Sequence, residues 1–154
     1  MKLTLKSALA GGIAGLVMAA VTAGPALSHH SFAMYDQTTT KTVTGKLTRF
    51  IPGANHAQIH FELLNPDGTA VKENGQPVRW GVETGPAASL ARFGVTVNSF
   101  PVGAIITVTL HPLRDGRNFG SLTPGEGVLI GCGMTMPKGG CTAQTGTPYI
   151  IRGQ

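Results

Sequence analysis

Three stretches of apolar and polar alternation, with a single short run of helical spacing between the second and third, predict an all-β domain carrying one short helix. The alternating stretches run from Asn55 to Leu63, from Val78 to Thr84 and from Ala104 to His111. Successive side chains of an extended chain point to opposite faces, so alternation of this length marks a strand with one face in a core.

Taken in order, Thr38 to Arg49 is dense in β-branched residues and predicts the first strand, with Val43, Gly45 and Leu47 on one face and Gly45 at a bend. Ile51-Pro-Gly53 breaks it. In the second strand Ala57, Ile59, Phe61 and Leu63 face the core and His56, Gln58, His60 and Glu62 face away. Asn65-Pro-Asp-Gly68 is turn chemistry, and a polar excursion leads to the third strand, where Val78, Trp80 and Val82 alternate with Arg79, Gly81 and Glu83. Gly85 to Gly94 is the helical run: Pro86 suits a first turn, Leu90 and Phe93 share a face, and Gly94 ends it. The fourth strand puts Ile106, Val108 and Leu110 inward, opposite Ile105, Thr107, Thr109 and His111. Pro112 to Gly116 turns the chain into a fifth strand between Asn118 and Ile130, interrupted at Pro124 and Gly125. Three strands, a helix and two strands is the order of the five-stranded OB-fold barrel.

The chain divides into a leader at 1–28, an N-terminal arm at 29–37, a barrel at 38–131 and an irregular tail rich in Gly, Pro and Thr at 132–154. Lys2 and Lys6, an apolar run from Ala8 to Val21 and the small residues around Ala26-Leu-Ser28 have the pattern of an export signal. Gly11, Gly12, Gly15, Gly24 and Pro25 interrupt that run, which reads against a membrane anchor and against stable membrane insertion after cleavage. Removing 28 residues from 154 leaves 126, enough for one core. Ten Lys and Arg then face seven Asp and Glu, a net charge of +3, with the basic residues scattered; both facts argue against a nucleic-acid partner. Outside the cytosol Cys132 and Cys141 are expected to form a disulfide, whose short loop would contribute roughly 2.5–3 kcal/mol.

His29-His-Ser-Phe-Ala-Met-Tyr-Asp36 after the leader and His111-Pro-Leu-Arg-Asp-Gly-Arg117 after a strand resemble the hallmarks of a family of small exported bacterial proteins classed as a domain of unknown function. The resemblance takes in Asn55-His56, Trp80 and Gly94 and reaches about Leu129, with Ala54-Asn-His56 standing where the family commonly has Asn-Pro-His. It implies an exported, β-rich domain and supplies no mechanism.

Five histidines in so lightly charged a domain point to a metal, and the candidate ligands are His29, His30, His56 and His111. Cleavage after Ser28 would free the amine of His29 to chelate one ion together with its imidazole; cleavage one residue earlier leaves Ser-His-His, also a copper-chelating terminus. His56 and His60 lie roughly 13 Å apart along a strand at about 3.3 Å per residue, so they cannot share an ion without a bulge. His111 could meet the arm or orient the turn after it by bonding Asp115. Met134-Thr-Met136 beside Cys132 is a second, softer copper candidate. Arg114 and Asp115 read as a tight turn with a local ion pair, or as part of a ligand site. Nucleophile elbows, phosphate loops and His-Glu-x-x-His are missing, so an enzyme is not expected. The expectation is an exported OB-like barrel that binds a metal ion, most simply copper, for storage or delivery. The alternative is a metal-free module whose arginines Arg49, Arg79 and Arg114 recognise an acidic ligand or an envelope protein partner.

The leader reading has a direct consequence. The intact mass of the exported protein is expected to lack residues 1–28, and a mature species retaining residues 1–24 would overturn it.

Overall fold

A computed structural model of the protein describes residues 32–53, 55–123, 125–151 and 153. Its elements are a 3-10 turn (Phe32–Met34), β1 (Lys41–Ile51), β2 (Gln58–Leu63), β3 (Lys72–Glu73), β4 (Gln76–Pro77), β5 (Arg79–Thr84), α1 (Ala87–Arg92), β6 (Ile105–Pro112), β7 (Phe119–Leu122), β8 (Val128–Gly131) and β9 (Thr147–Ile150). The leader, His29 and His30 lie outside the described residues.

β1 is long because it serves two neighbours. Its first half, Lys41 to Lys46, pairs antiparallel with β6, and Gly45 to Ile51 pairs antiparallel with β2. The handover falls at Gly45, where a Cβ would run into the ring of Phe61 and the carbonyl of Glu62 at 2.7 Å, so the absence of a side chain lets the strand coil from one partner to the other. A register shift between Leu47 and Arg49 adds to the bend. The remaining pairs, β2 with β5, β5 parallel to β7 and β7 with β6, close a five-stranded barrel of the OB type.

The inward faces are those the alternation predicts. Ile59, Phe61, Val82, Ile106 and Val108 are fully buried, with Leu47, Leu90 and Leu110 almost so. Leu90 comes from α1, which ends in a Schellman motif: Gly94 at φ +74° sends its N–H to Ala91 O (3.0 Å), and Val95 N–H reaches Leu90 O (3.1 Å). Leu90 and Val95, the apolar pair that this motif brings together, are both buried.

Two features differ from expectation. The fifth strand is two strands, β7 and β8, laid end to end against β6: His111 and Pro112 pair with β7, and Ile106 to Thr109 pair with β8. Between them the chain leaves the ladder at Thr123 and returns by Gly127, whose Cβ would meet Thr109 O at 2.8 Å. The tail read as irregular contains β9, which pairs with β8 at the sheet edge, and the Cys132–Cys141 disulfide is formed. Cys141 O accepts a hydrogen bond from Thr107 Oγ1 (2.8 Å), so the tail covers the outer side of β6; Ile105, Thr107 and Thr109 are buried there although they face away from the barrel interior.

Placing a charge inside the closed barrel is expected to be costly. Val108→Asp should lower stability by about 3–5 kcal/mol, because the carboxylate has no partner in the apolar interior, whereas His60→Ala on the outer face should cost well under about 1 kcal/mol. Thermal unfolding of the two variants checks this, and equal losses would mean that the faces are misassigned.

Candidate functional site

The polar residues of interest gather where β2, β5, β6 and β7 meet the N-terminal arm. Cross-strand register puts His111, Ser121 and Glu83 in one row, since Ser121 pairs with His111 on one side and Glu83 on the other. Paired residues share a face of the sheet, and this one faces outward, because Leu110 and Val82, the neighbours in sequence, point into the core.

The arm crosses that row. Tyr35 forms a bridge with Leu113, Asp36 N–H donates to Pro112 O (2.8 Å), and Arg114 N–H donates to Met34 O (3.0 Å). Arg114 Nε donates to Ala33 O (3.1 Å) as well. Asp36 shapes its own turn: its carboxylate accepts from Thr38 Oγ1 (2.7 Å), Thr38 N–H (3.0 Å) and Thr39 Oγ1 (2.7 Å). Tyr35 ends up 4% exposed, with its hydroxyl bonded to the Glu83 carboxylate; burial first, and then the charge and hydrogen bond of Glu83, push its pKa up to about 12.

Each histidine can now be placed. His111, 5% exposed, is the clasp of the arm: Nδ1 donates to Thr39 O (2.9 Å) and lies 3.3 Å from Asp36 O, and Nε2 meets Glu126 Oε2 at 3.1 Å. Glu126 arrives on the excursion between β7 and β8, the feature that splits the fifth strand. His111 therefore orients the arm and not Asp115, which instead accepts from Arg117 Nε (2.8 Å) across the Gly116 turn. His56 sits in the loop ahead of β2, not in the strand. Its Nδ1 lies 3.0 Å from Glu83 Oε1 and 3.2 Å from Thr84 O. His60 is apart from it, above Gly81 and beside Phe119, with Nε2 3.1 Å from Gln58 Oε1; burial and then the charge of Arg49 lower its pKa.

Among the described residues, no group of three or more His, Cys, Asp and Glu side chains is placed to hold a metal ion. His56 is held beside Glu83 and His111 beside Glu126, and His29 and His30 lie outside the described residues. Met134 lies near Gly103, and Met136 lies near Gly68 and packs with Ile105, Ile130 and the Cys132–Cys141 disulfide. Arg114 is tied to the arm and Asp115 to Arg117, the local ion pair read from the sequence. Arg79, on the outward face of β5 four residues before Glu83, lies 3.7 Å from Glu62. The sequence reading missed Tyr35 and Glu83 as a pair. The signal was faint: a tyrosine six residues after His29, and a glutamate at an outward position one residue from the end of β5.

Ser121 is buried, and its hydroxyl has no hydrogen-bond partner among the described residues. It stands beside His111, yet both ring nitrogens of that histidine are directed to carbonyls and to Glu126, so the pair does not form the hydrogen bond of an activated nucleophile. No helix among the described residues is long and apolar enough to cross a membrane.

Fold and site together define a small OB-type barrel with an N-terminal arm strapped across a polar row. The chain belongs to a family of unknown function (DUF6152), whose match covers residues 16–122 and so takes in the arm, His56, Glu83 and His111. A search of curated proteins finds no match.

The arm makes a prediction about acid. Hydrogen bonds from the Thr38 and Thr39 hydroxyls, followed by the Thr38 N–H, hold the Asp36 pKa down to about 2. A carboxyl depressed in the folded state stabilises it above the unfolded range near about 3.9, and that contribution is lost as pH falls through the folded value. Carbon-detected NMR should place the Asp36 midpoint near 2. In a Thr38→Ala, Thr39→Ala variant it should climb towards about 3.9, and a wild-type midpoint already there would rule out the turn as drawn.

Proposed function

We propose that this protein is exported, cleaved after its leader, and binds one metal ion, copper in the first instance, through the histidines at its new N-terminus, holding the ion without catalysing a reaction on it. The observation that supports this most is the strapping of the arm. Tyr35 is fixed to Glu83 and Leu113, and the chain from Tyr35 back to His29 is six residues, at most about 20 Å of extended backbone. Cleavage after Ser28 would leave that strapped arm beginning with His29 and His30.

The chemistry follows from the residue types. Before cleavage the nitrogen of His29 is an amide; afterwards it is an amine with a pKa near about 8 that can lose its proton and close a chelate with the imidazole. Imidazole and amine nitrogens suit copper(II), and copper is an ion met outside the cytosol, the compartment to which the leader pattern and the disulfide point.

Copper(II) titration of the matured chain, against a form extended by two residues ahead of His29, tests the reading. The matured form should bind more tightly than about micromolar, the extension should weaken binding about tenfold or more, and binding should fade as pH drops through about 6, where imidazole and amine take up protons. Equal affinity and identical electron paramagnetic resonance spectra for the two forms would remove the terminus from the site. No binding tighter than about micromolar in either would make a metal-free partner-binding module the better account.

A further inference from the structure

We propose that the outer face of the barrel carries a site for a sugar acid, one hydroxylated ring bearing a carboxylate, in the cleft beside Gly81; this goes beyond the metal-binding reading and does not rest on it. The register of the sheet assembles the cleft. Arg49 pairs with His60, His60 with Gly81 and Gly81 with Phe119, so four strands place these residues in one row on the outer face, which Arg79 shares two positions earlier on β5. Glycine at 81 makes the hollow. A Cβ there would run into the ring of Phe119 and stand 3.3 Å from His60 Nδ1, so the ring lies down against bare backbone. Beside it is a cleft of about 260 Å³ lined by Thr48, His60, Arg79, Asn118 and Phe119.

Each of these groups has a use in holding such a ring. The Arg79 side chain is 78% exposed, and its carboxylate neighbour Glu62 lies at 3.7 Å, a surface contact that holds it weakly. Its planar fork of donors fits an incoming carboxylate with two parallel hydrogen bonds. Arg49 adds a second positive charge at the end of the row, and none of the described residues lining the cleft is acidic. Thr48 Oγ1 donates to His60 O (3.0 Å), which fixes the hydroxyl and leaves its oxygen able to accept. The His60 imidazole, kept neutral at pH 7 by burial and then by the charge of Arg49, carries one donor and one acceptor, and the Asn118 amide carries both kinds as well. Phe119, half-buried, supplies a flat apolar wall. A sugar acid uses the whole set. An apolar acid of the same size would strip water from Thr48, His60 and Asn118 without replacing it, and a neutral sugar would leave Arg79 unmatched. The volume falls below the roughly 300–1,000 Å³ of sites for drug-sized molecules, which suits a single ring.

The test is a titration of the metal-free, matured full chain followed by amide NMR, so that its result is independent of copper. The probes are D-glucuronate for a free acid and methyl β-D-glucuronide for a glycan-linked one, with D-glucose and benzoate as the neutral and apolar controls. One or both glucuronates should shift the amides of Gly81, Asn118 and Phe119 and saturate with a Kd near about 1 mM, the order expected of so small a ligand, and the tighter of the two names the source. Glucose and benzoate should each bind about tenfold more weakly or worse. Arg79→Ala should weaken glucuronate binding about tenfold or more, and Arg79→Lys, which keeps the charge and loses the fork, should recover only part of that loss. Arg92→Ala, which removes the same charge from α1, should match the wild type. Because Arg79 and Arg92 are exposed, their variants should fold as the wild type does, which circular dichroism checks. No saturable shift at the cleft with either glucuronate would overturn the proposal, as would undiminished binding by folded Arg79→Ala or an equal loss in Arg92→Ala. Glucose or benzoate binding as tightly as glucuronate would overturn the ligand class.

Discussion

The double pairing of β1 is the constraint on which the rest depends. A sheet of five strands becomes a barrel only if one strand can hydrogen-bond on both edges with its direction changing between them, and here that change is concentrated at Gly45 and in the register shift that follows. Phe61 fills the space a side chain at Gly45 would take, so the strand's bend and the packing of the core are a single arrangement. Closure removes the exposed edges that β1 and β6 would otherwise present and gives the inward faces of five strands a common interior. It also brings the ends of β5, β6 and β7 side by side, which is why His111, Ser121 and Glu83 form a row at all.

On that row the chain has built a strap and two devices for holding it. One is His111 with Glu126, the other Tyr35 with Glu83, and each joins a residue inside the family match to a partner on another element. The first is strengthened by the excursion from Thr123 to Gly127, which interrupts a strand in order to deliver Glu126. A strand broken at a fixed place, with a carboxylate at the break aimed at a buried imidazole, ties an irregularity of the fold to the site.

Much of the barrel was legible in the chain, and the reason is period. Ile59 and Phe61, or Ile106, Val108 and Leu110, alternate with polar neighbours because one face of each strand meets water or a polar cover. What period cannot convey is which outward residues are covered. Thr107, Thr109 and His111 read as solvent-facing, but the disulfide-closed tail and the arm lie over them, and threonine and histidine suit either setting. β9 escaped notice for a related cause: Thr147, Pro148, Tyr149 and Ile150 are too few to alternate visibly, and proline argues against a strand unless it lies at an edge, where this one is. The histidines were legible as a group and not as individuals. That His56 is held by Glu83 and His111 by Glu126 depends on contacts across 27 and 15 positions of sequence, the separation at which a local reading stops.

The pairing of β1 with β6 carries a further consequence, for the time course of folding. The hydroxyls of Thr42 and Thr109 meet at 2.8 Å across 67 positions of sequence, and those of Thr44 and Thr107 at 2.7 Å across 63. Contacts so distant along the chain must recover the entropy of a long loop before they return anything, so they form late. The hairpin of β1 with β2 is close in sequence and can form first, leaving the other edge of β1 unsatisfied while the rest of the chain arrives. Threonine at 40, 42 and 44 keeps the outward side of that waiting edge wettable, where valine at the same positions would offer a ready template to a second unfinished molecule.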